Sequence, residues 1–214
     1  MDARFRQLVL ERVERWVSIA DERLDGRGIR CFVSGANDDY FEVDDVLRTS
    51  KKMEVPNGEV LELPGFEMLS VGYSNPTPWN CPRDIPEPEL KAKIAALAGR
   101  IRRPERALYN VHVPPFDTDI DMAPKLDADL RVTMGAFGLP EMVPVGSTAV
   151  RECLLEYQPL LGLHGHIHES PGVRHLGSTT IVNPGSEYAE GLLSAAIIKL
   201  HPEKGIEDIR LVVG

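Results

Sequence analysis

Apolar residues recur at three- and four-residue steps through Phe5, Leu8, Val9, Val13, Trp16, Val17, Ala20 and Leu24, with Arg and Glu between them. That spacing predicts an amphipathic helix over residues 2–24, ended by Gly26 and Gly28. The pattern then changes. Ile29 to Val33 is short, apolar and partly β-branched, and it runs into Ser34-Gly35-Ala36-Asn37-Asp38-Asp39, which predicts a buried strand followed by a sharp polar loop. A short helix is expected from Tyr40 to Arg48, and strands from Val60 to Leu63 and Glu67 to Val71, joined at Pro64-Gly65.

From Gly72 to Pro88 five prolines with Asn75, Trp79 and Asn80 exclude a helix or a central strand and predict a surface loop long enough to edge a site. Helical spacing returns through Leu90, Ile94, Leu97 and Ile101, for an expected helix over 88–103. Ala107 to Val113 reads as a strand carrying His112 near its end, stopped by Pro114-Pro115. Ser147 is the expected N-cap of a helix through Tyr157, and apolar Pro159 to Leu163 leads into His164-Gly165-His166-Ile167-His168. Ile181-Val182, Ala195 to Leu200 and Ile206 to Val213 supply closing strands. The result is a series of strand-then-polar-loop units, three of which carry side chains suited to metal binding, and in α/β folds sites gather on such loops.

Composition narrows the chemistry. With 214 residues, 43% hydrophobic and 27% charged, the chain has the length of one globular domain. A formal charge of −9 removes the general attraction on which a non-specific nucleic-acid or anionic-membrane binder relies. An anionic substrate must therefore be drawn in by something other than side-chain cations. No apolar run approaches the roughly 18 to 20 residues of a membrane span, and Met1 to Arg15 is charged and amphipathic without a signal-peptide core. A soluble, cytoplasmic chain is the expectation. Cys31, Cys81 and Cys153 are odd in number, far apart and without CxxC spacing, so reduced thiols are expected and a metal would need His and oxygen ligands.

Alternating residues of an extended segment project to one side, so imidazoles at i and i+2 can approach neighbouring metals, and Gly165 lets the backbone come close. Three alternating histidines are hard to explain as core packing. His112 alone would read as a half-buried residue at a strand end, and Asn37, Asp38 and Asp39 as turn formers. His175 and His201 lack such company and are expected to be structural or surface residues, and His164 to support the motif rather than bind.

Taken together, Ala36-Asn37-Asp38-Asp39, His112 before Pro114-Pro115, Gly165-His166-Ile167-His168 and Asn183-Pro184-Gly185-Ser186 resemble the later motifs of the calcineurin-like metallophosphoesterase superfamily. Those motifs run DxH, GD, GNH(D/E), H, GHxH, and the resemblance extends from about Ile29 to the C-terminus. It implies an α/β fold, a layered α/β/β/α sandwich of two mixed sheets, with a dinuclear centre of Mn, Fe, Zn or Ni at the strand ends. It further implies that Asn37, His112 and His166 hold the second metal and His168 the first. Asn37, Asp38 and His112 would be the catalytic residues, and a small phosphoester the substrate. No membrane partner is expected, and nucleic acid only as substrate.

Two departures from the motifs bear on activity. Ala36 replaces the motif glycine, and Asp38 stands where many members place a histidine thought to protonate the leaving group. No D-x-H followed by G-D precedes Asn37, so residues 1–214 read as one metallophosphoesterase-like domain that is incomplete at its N-terminus. One ion, weakly held, is the expectation for such a chain. The missing motifs fit a late start codon, a split gene or decay of the enzyme, and the sheet edge left open would invite a second copy or a complementing N-terminal fragment. A non-catalytic metal-binding or partner-binding fragment is the competing reading.

Overall fold

The computed structural model describes residues 3–214; Asp2, the expected first residue of the leading helix, lies outside them together with Met1. In chain order the elements are α1 (Ala3–Leu24), β1 (Cys31–Phe32), α2 (Phe41–Leu47), β2 (Met53–Glu54), β3 (Val60–Leu63), β4 (Phe66–Val71), α3 (Glu87–Ala98), β5 (Ala107–Val111), β6 (Met122–Pro124), β7 (Met142–Pro144), α4 (Thr148–Tyr157), β8 (Leu161–Leu163), β9 (Gly172–Leu176), β10 (Thr179–Asn183), β11 (Ser194–His201) and β12 (Gly205–Val213). Single 3-10 turns lie at Pro104–Arg106, Ala136–Gly138 and Tyr188–Glu190.

The fold is mixed α/β, built on a six-stranded sheet of order β3-β4-β5-β8-β10-β9. Its four inner strands are parallel and its two edges, β3 and β9, antiparallel. The inner strands are covered on both faces, and all six residues of β4 and all five of β10 are buried, polar Glu67, Ser70, Thr179, Thr180 and Asn183 among them. Alternate residues face opposite ways. Leu69, Val71, Tyr109, Val111 and Ile181 meet Leu90, Ile94 and Leu97 of α3 and Val150, Cys153 and Leu154 of α4. Phe66, Met68, Leu108, Leu161 and Val182 meet Phe32 and the inward residues of the β11–β12 hairpin. A third cluster joins Val13 and Val17 of α1 to Val43 and Leu47 of α2.

Ser147 caps α4 as expected, accepting from Val150 N at 3.1 Å. The third helix corrects its expectation: α3 ends at Ala98 rather than Arg103, because the backbone N–H groups of Arg102 and Arg103 both donate to Glu67 Oε2 at 3.0 Å and draw the chain out of the helix. The strand expected over 29–33 contracts to Cys31–Phe32. β2, β9 and the β6–β7 ribbon were not foreseen. Beside the main sheet stand three two-stranded pairs, β1–β2, β6–β7 and β11–β12, and they do not join into a continuous second sheet. No helix among the described residues is long and apolar enough to cross a membrane.

Candidate metal centre

Parallel strands β1, β4, β5 and β8 end on the same side, and the loops that follow them meet there. Two glycines permit the approach. A Cβ on Gly72 would lie 2.1 Å from Gly35 O, and one on Gly35 would lie 2.6 Å from Nη2 of Arg83. Arg83, fully buried, forms a two-pronged ion pair with Asp44 (2.9 and 3.0 Å) and also donates to the carbonyls of Asp39 and Tyr40. Its own N–H donates to Asn37 O at 2.9 Å, so the loop after β1 is clamped to the proline-rich loop after β4.

Asn37, His112 and His166, separated by up to 129 residues in sequence, converge on one point. Asn37 Oδ1 lies 3.0 Å from His112 Nε2 and 3.2 Å from His166 Nδ1, and the two rings meet edge to face with centroids 5.0 Å apart. Asp84 fixes which way the Asn37 amide faces. Its carboxylate can only accept, so Asn37 Nδ2 donates to Asp84 Oδ1 at 3.0 Å and the amide oxygen is left for the imidazoles. Asp84 is anchored in turn by Thr77 N, Thr77 Oγ1 and Cys81 N. Burial pushes its carboxyl up, but the hydrogen bonds from Thr77, Asn37 and Cys81 outweigh that and hold it below the usual carboxylate range.

His166 adopts a left-handed backbone, φ 66°, unusual for a residue with a Cβ. The following residue is held from behind: Asn183 Nδ2 donates to Ile167 O at 2.7 Å and to Ile120 O at 3.1 Å, which accounts for the Asn-Pro-Gly-Ser motif. Such strain persists where surrounding contacts over-determine it. Ser74 Oγ lies 3.2 Å from His166 Nε2 and can accept its proton, leaving the Nδ1 lone pair turned toward Asn37 and His112.

Burial, reinforced by the neighbouring imidazoles of His166, His168 and His164, pushes His112 down to about 3. Burial likewise lowers His166, with Asp84 opposing. Both rings are therefore neutral at neutral pH, the form that binds metal. Ligand atoms each about 2.1 Å from one ion and at right angles sit about 3.0 Å apart. The separations at Asn37 fit a common cation, and an amide oxygen with two imidazoles suits borderline first-row metals. Among the described residues no group of three or more His, Cys, Asp and Glu is arranged to hold a metal, so the donor set depends on the amide.

The other expected residues surround this trio, and His168 is near enough to lower both His112 and His166. His168 is exposed and packs edge-on against Tyr188 at 5.4 Å. Asp38 is exposed on the turn after Asn37. His164 is buried, with Nδ1 donating to the carbonyls of Val111 (2.9 Å) and Val113 (3.2 Å). Its Nε2 has no partner and faces Gly162, where a Cβ would come within 2.6 Å. Sequence reasoning missed Asp84 and Ser74; both lie in the proline-rich loop, whose composition announces a loop but not which of its polar residues turns inward.

No family model matches this chain. The uncharacterized protein MJ1162 of Methanocaldococcus jannaschii is 28% identical over 149 residues, which cover 69% of this chain and 60% of that protein. The match thus spans less than two thirds of that relative. One solved structure superposes on 97% of this chain and 73% of its own with a TM-score of 0.63 at 18% identity. The crystal structure of TT1561 of Thermus thermophilus superposes on 94% of this chain and 79% of its own, with a TM-score of 0.53 at 17% identity. These likenesses concern the fold alone.

Proposed function

We propose that the chain is a metal-dependent phosphoester hydrolase of the calcineurin-like metallophosphoesterase type, with Asn37, His112 and His166 holding one divalent cation of the Mn, Fe, Zn or Ni group. The observation that carries this is the convergence of one amide oxygen and two neutral imidazoles, oriented by Asp84 and Ser74. When bound, such a cation draws in an anionic phosphoester and lowers the pKa of a coordinated water. Asn37 and His112 fix one side of the site and His166 the other. Exposed His168 stands at its rim, and exposed Asp38, at the family's proton-donor position, leaves the leaving-group side open to water. The site also answers the charge problem, since a bound cation reverses the local sign in a chain of net charge −9. The two differently covered faces of the main sheet support a layered α/β/β/α arrangement, and three separate free thiols support a cytoplasmic setting.

Only exposed His168 serves the first metal position, which favours a second reading, that of a non-catalytic metal-binding or partner-binding fragment. Metal titration with Mn²⁺ and turnover of an aryl phosphodiester and a monoester separate the two. About one ion per chain with weak, His166-dependent turnover supports hydrolysis. Binding without turnover supports the fragment, and no binding at all removes the metal centre.

A further inference from the structure

Among the described residues, α1 is held to the rest of the molecule along one face. Val13 and Val17 pack against Val43 and Leu47 of α2, Arg6 pairs with Glu42, and the Asp21 carboxylate accepts from the backbone N–H groups of Lys51 (3.0 and 3.1 Å) and Lys52 (3.1 Å). Anchored near both ends, the helix is a fixed platform for whatever meets its other side. At about 100° per residue, Phe5, Leu8, Arg12, Trp16 and Ile19 stand in one line, more than a quarter turn from the Val13–Val17 face. Phe5 and Trp16 are each 56% exposed, Leu8 45% and Ile19 46%. Together the four leave on the order of 400 Å² of side-chain surface in water, the size at which an apolar patch marks a contact site.

The order of these residues indicates the occupant. Their steps of 3, 4, 4 and 3 residues read the same from either end, with Arg12 in the middle. An antiparallel second copy of α1, related by a two-fold axis at Arg12, therefore sets Phe5 against Ile19 and Leu8 against Trp16, an aromatic ring against an aliphatic chain in every layer. The outer border of the stripe agrees. Arg4, Glu11, Arg15 and Glu22 alternate in sign along it, and all four are exposed. In the antiparallel pair Arg4 comes within about 3 Å along the axis of the second copy's Glu22, and Glu11 of its Arg15. Each side chain leans toward its own N-terminus, which brings these opposite charges closer and carries the two Glu11 carboxylates apart. A parallel pair would set every one of these charges against itself.

We propose that two copies of this chain associate through α1, antiparallel about a two-fold axis at Arg12. Five Arg against three Glu and one Asp give α1 a net charge of +1, so chains of net charge −9 meet where their mutual repulsion is least. Glu11 and Glu22 disfavour an anionic membrane as the occupant, since such a surface attracts a border of one positive sign. Arg12 is the misfit, because it faces its own copy. Two stripes bury on the order of 800 Å², less than a stable interface of about 1,200 Å² or more, so the dimer is weak and forms at high concentration. Nothing in this interface depends on the metal reading.

The test is sedimentation velocity of the 214-residue chain in EDTA from about 5 µM to about 500 µM, over which monomer is expected to convert to dimer. Trp16→Glu is expected to abolish the dimer and to leave the urea midpoint at the lowest concentration unchanged, because the ring is exposed in the single chain. Arg12→Leu is expected to tighten association about tenfold, as removal of a charge from the middle of a helix–helix seam does. Glu11→Arg is expected to weaken it about tenfold, and Glu11→Arg with Arg15→Glu to restore it, because the exchange rebuilds each cross-pair. A chain that stays monomeric throughout, a dimer that survives Trp16→Glu, or a charge exchange that fails to rescue Glu11→Arg overturns the proposal. So does a monomer that sediments with phosphatidylserine vesicles in a Trp16-dependent way, which would make a membrane surface the occupant.

Discussion

The two faces of the six-stranded sheet are closed by different means. On one, α3 and α4 bury Leu90, Ile94, Val150 and Leu154 to 1% exposure or less, so apolar packing does the work. On the other, the covering residues Ala196, Ile198, Leu200, Ile206 and Ile209 are all only partly buried. The site-bearing loops, at the ends of the strands, are held instead by polar groups, namely the Arg83–Asp44 pair, the Asp84 anchor and the Asn183 amide. The contrast teaches that apolar packing on the helix face specifies the fold, while polar contacts at the strand ends specify the site.

The strongest way to break this comparison is to remove the polar clamp. Asp44→Ala leaves the Arg83 charge buried without its partner and is expected to cost about 3–5 kcal/mol in urea denaturation. Combining it with Arg83→Met should recover part of that loss. A cost under about 1 kcal/mol for the single change would mean the clamp is ornamental. Next, Leu154→Ala on the helix face should cost about 2–5 kcal/mol, against about 1 kcal/mol for Ile198→Ala on the open face, where less area leaves water. Equal costs would erase the distinction.

Two smaller effects sharpen it. Asp84→Ala frees the Asn37 amide to turn, and Mn²⁺ affinity should fall about 10- to 100-fold while the fold is retained, the usual scale for a residue that orients a ligand. Titration calorimetry beside circular dichroism separates the two. The smallest concerns acid. Burial pushes His164 from its ordinary 6.5 down to about 4, so between those values the unfolded chain binds the proton that the folded chain refuses. Its contribution is intact above pH 6.5 and is lost as pH falls toward 4. His164→Gln, which keeps an N–H for the Val111 and Val113 carbonyls, should flatten the denaturation midpoint against pH over that window, and an unaltered slope would assign the acid sensitivity elsewhere.

Legibility followed periodicity. α1, α4 and the β5 and β8 strands were readable because their apolar spacing extends over several residues or runs into a motif, and Ser147 announced its own helix. β1 was overdrawn because a short run, apolar but for Arg30, says nothing about how many of its residues find a partner strand; two do. β9 was hidden because its middle residues face water and only Gly172 and Leu176 are buried. α3 was overdrawn at Ile101 because Glu67, far away in sequence, takes the N–H groups that would have continued it. At the candidate site, His112 and His166 were legible through their motifs, whereas Asp84 and Ser74 depend on how a proline-rich loop folds back, which no local pattern records.

The span of sequence that the site closes has a consequence for synthesis. Asn37 meets Asp84 after 47 residues, His112 after 75 and His166 after 129. At about 5–20 residues per second, the amide is made on the order of ten seconds before its last imidazole partner. No partial chain ending before His166 can offer all three donors to an ion. On the metal reading proposed above, an ion held by all three donors requires the loop after β8 to be in place beside β5, so loading would report on a formed central sheet.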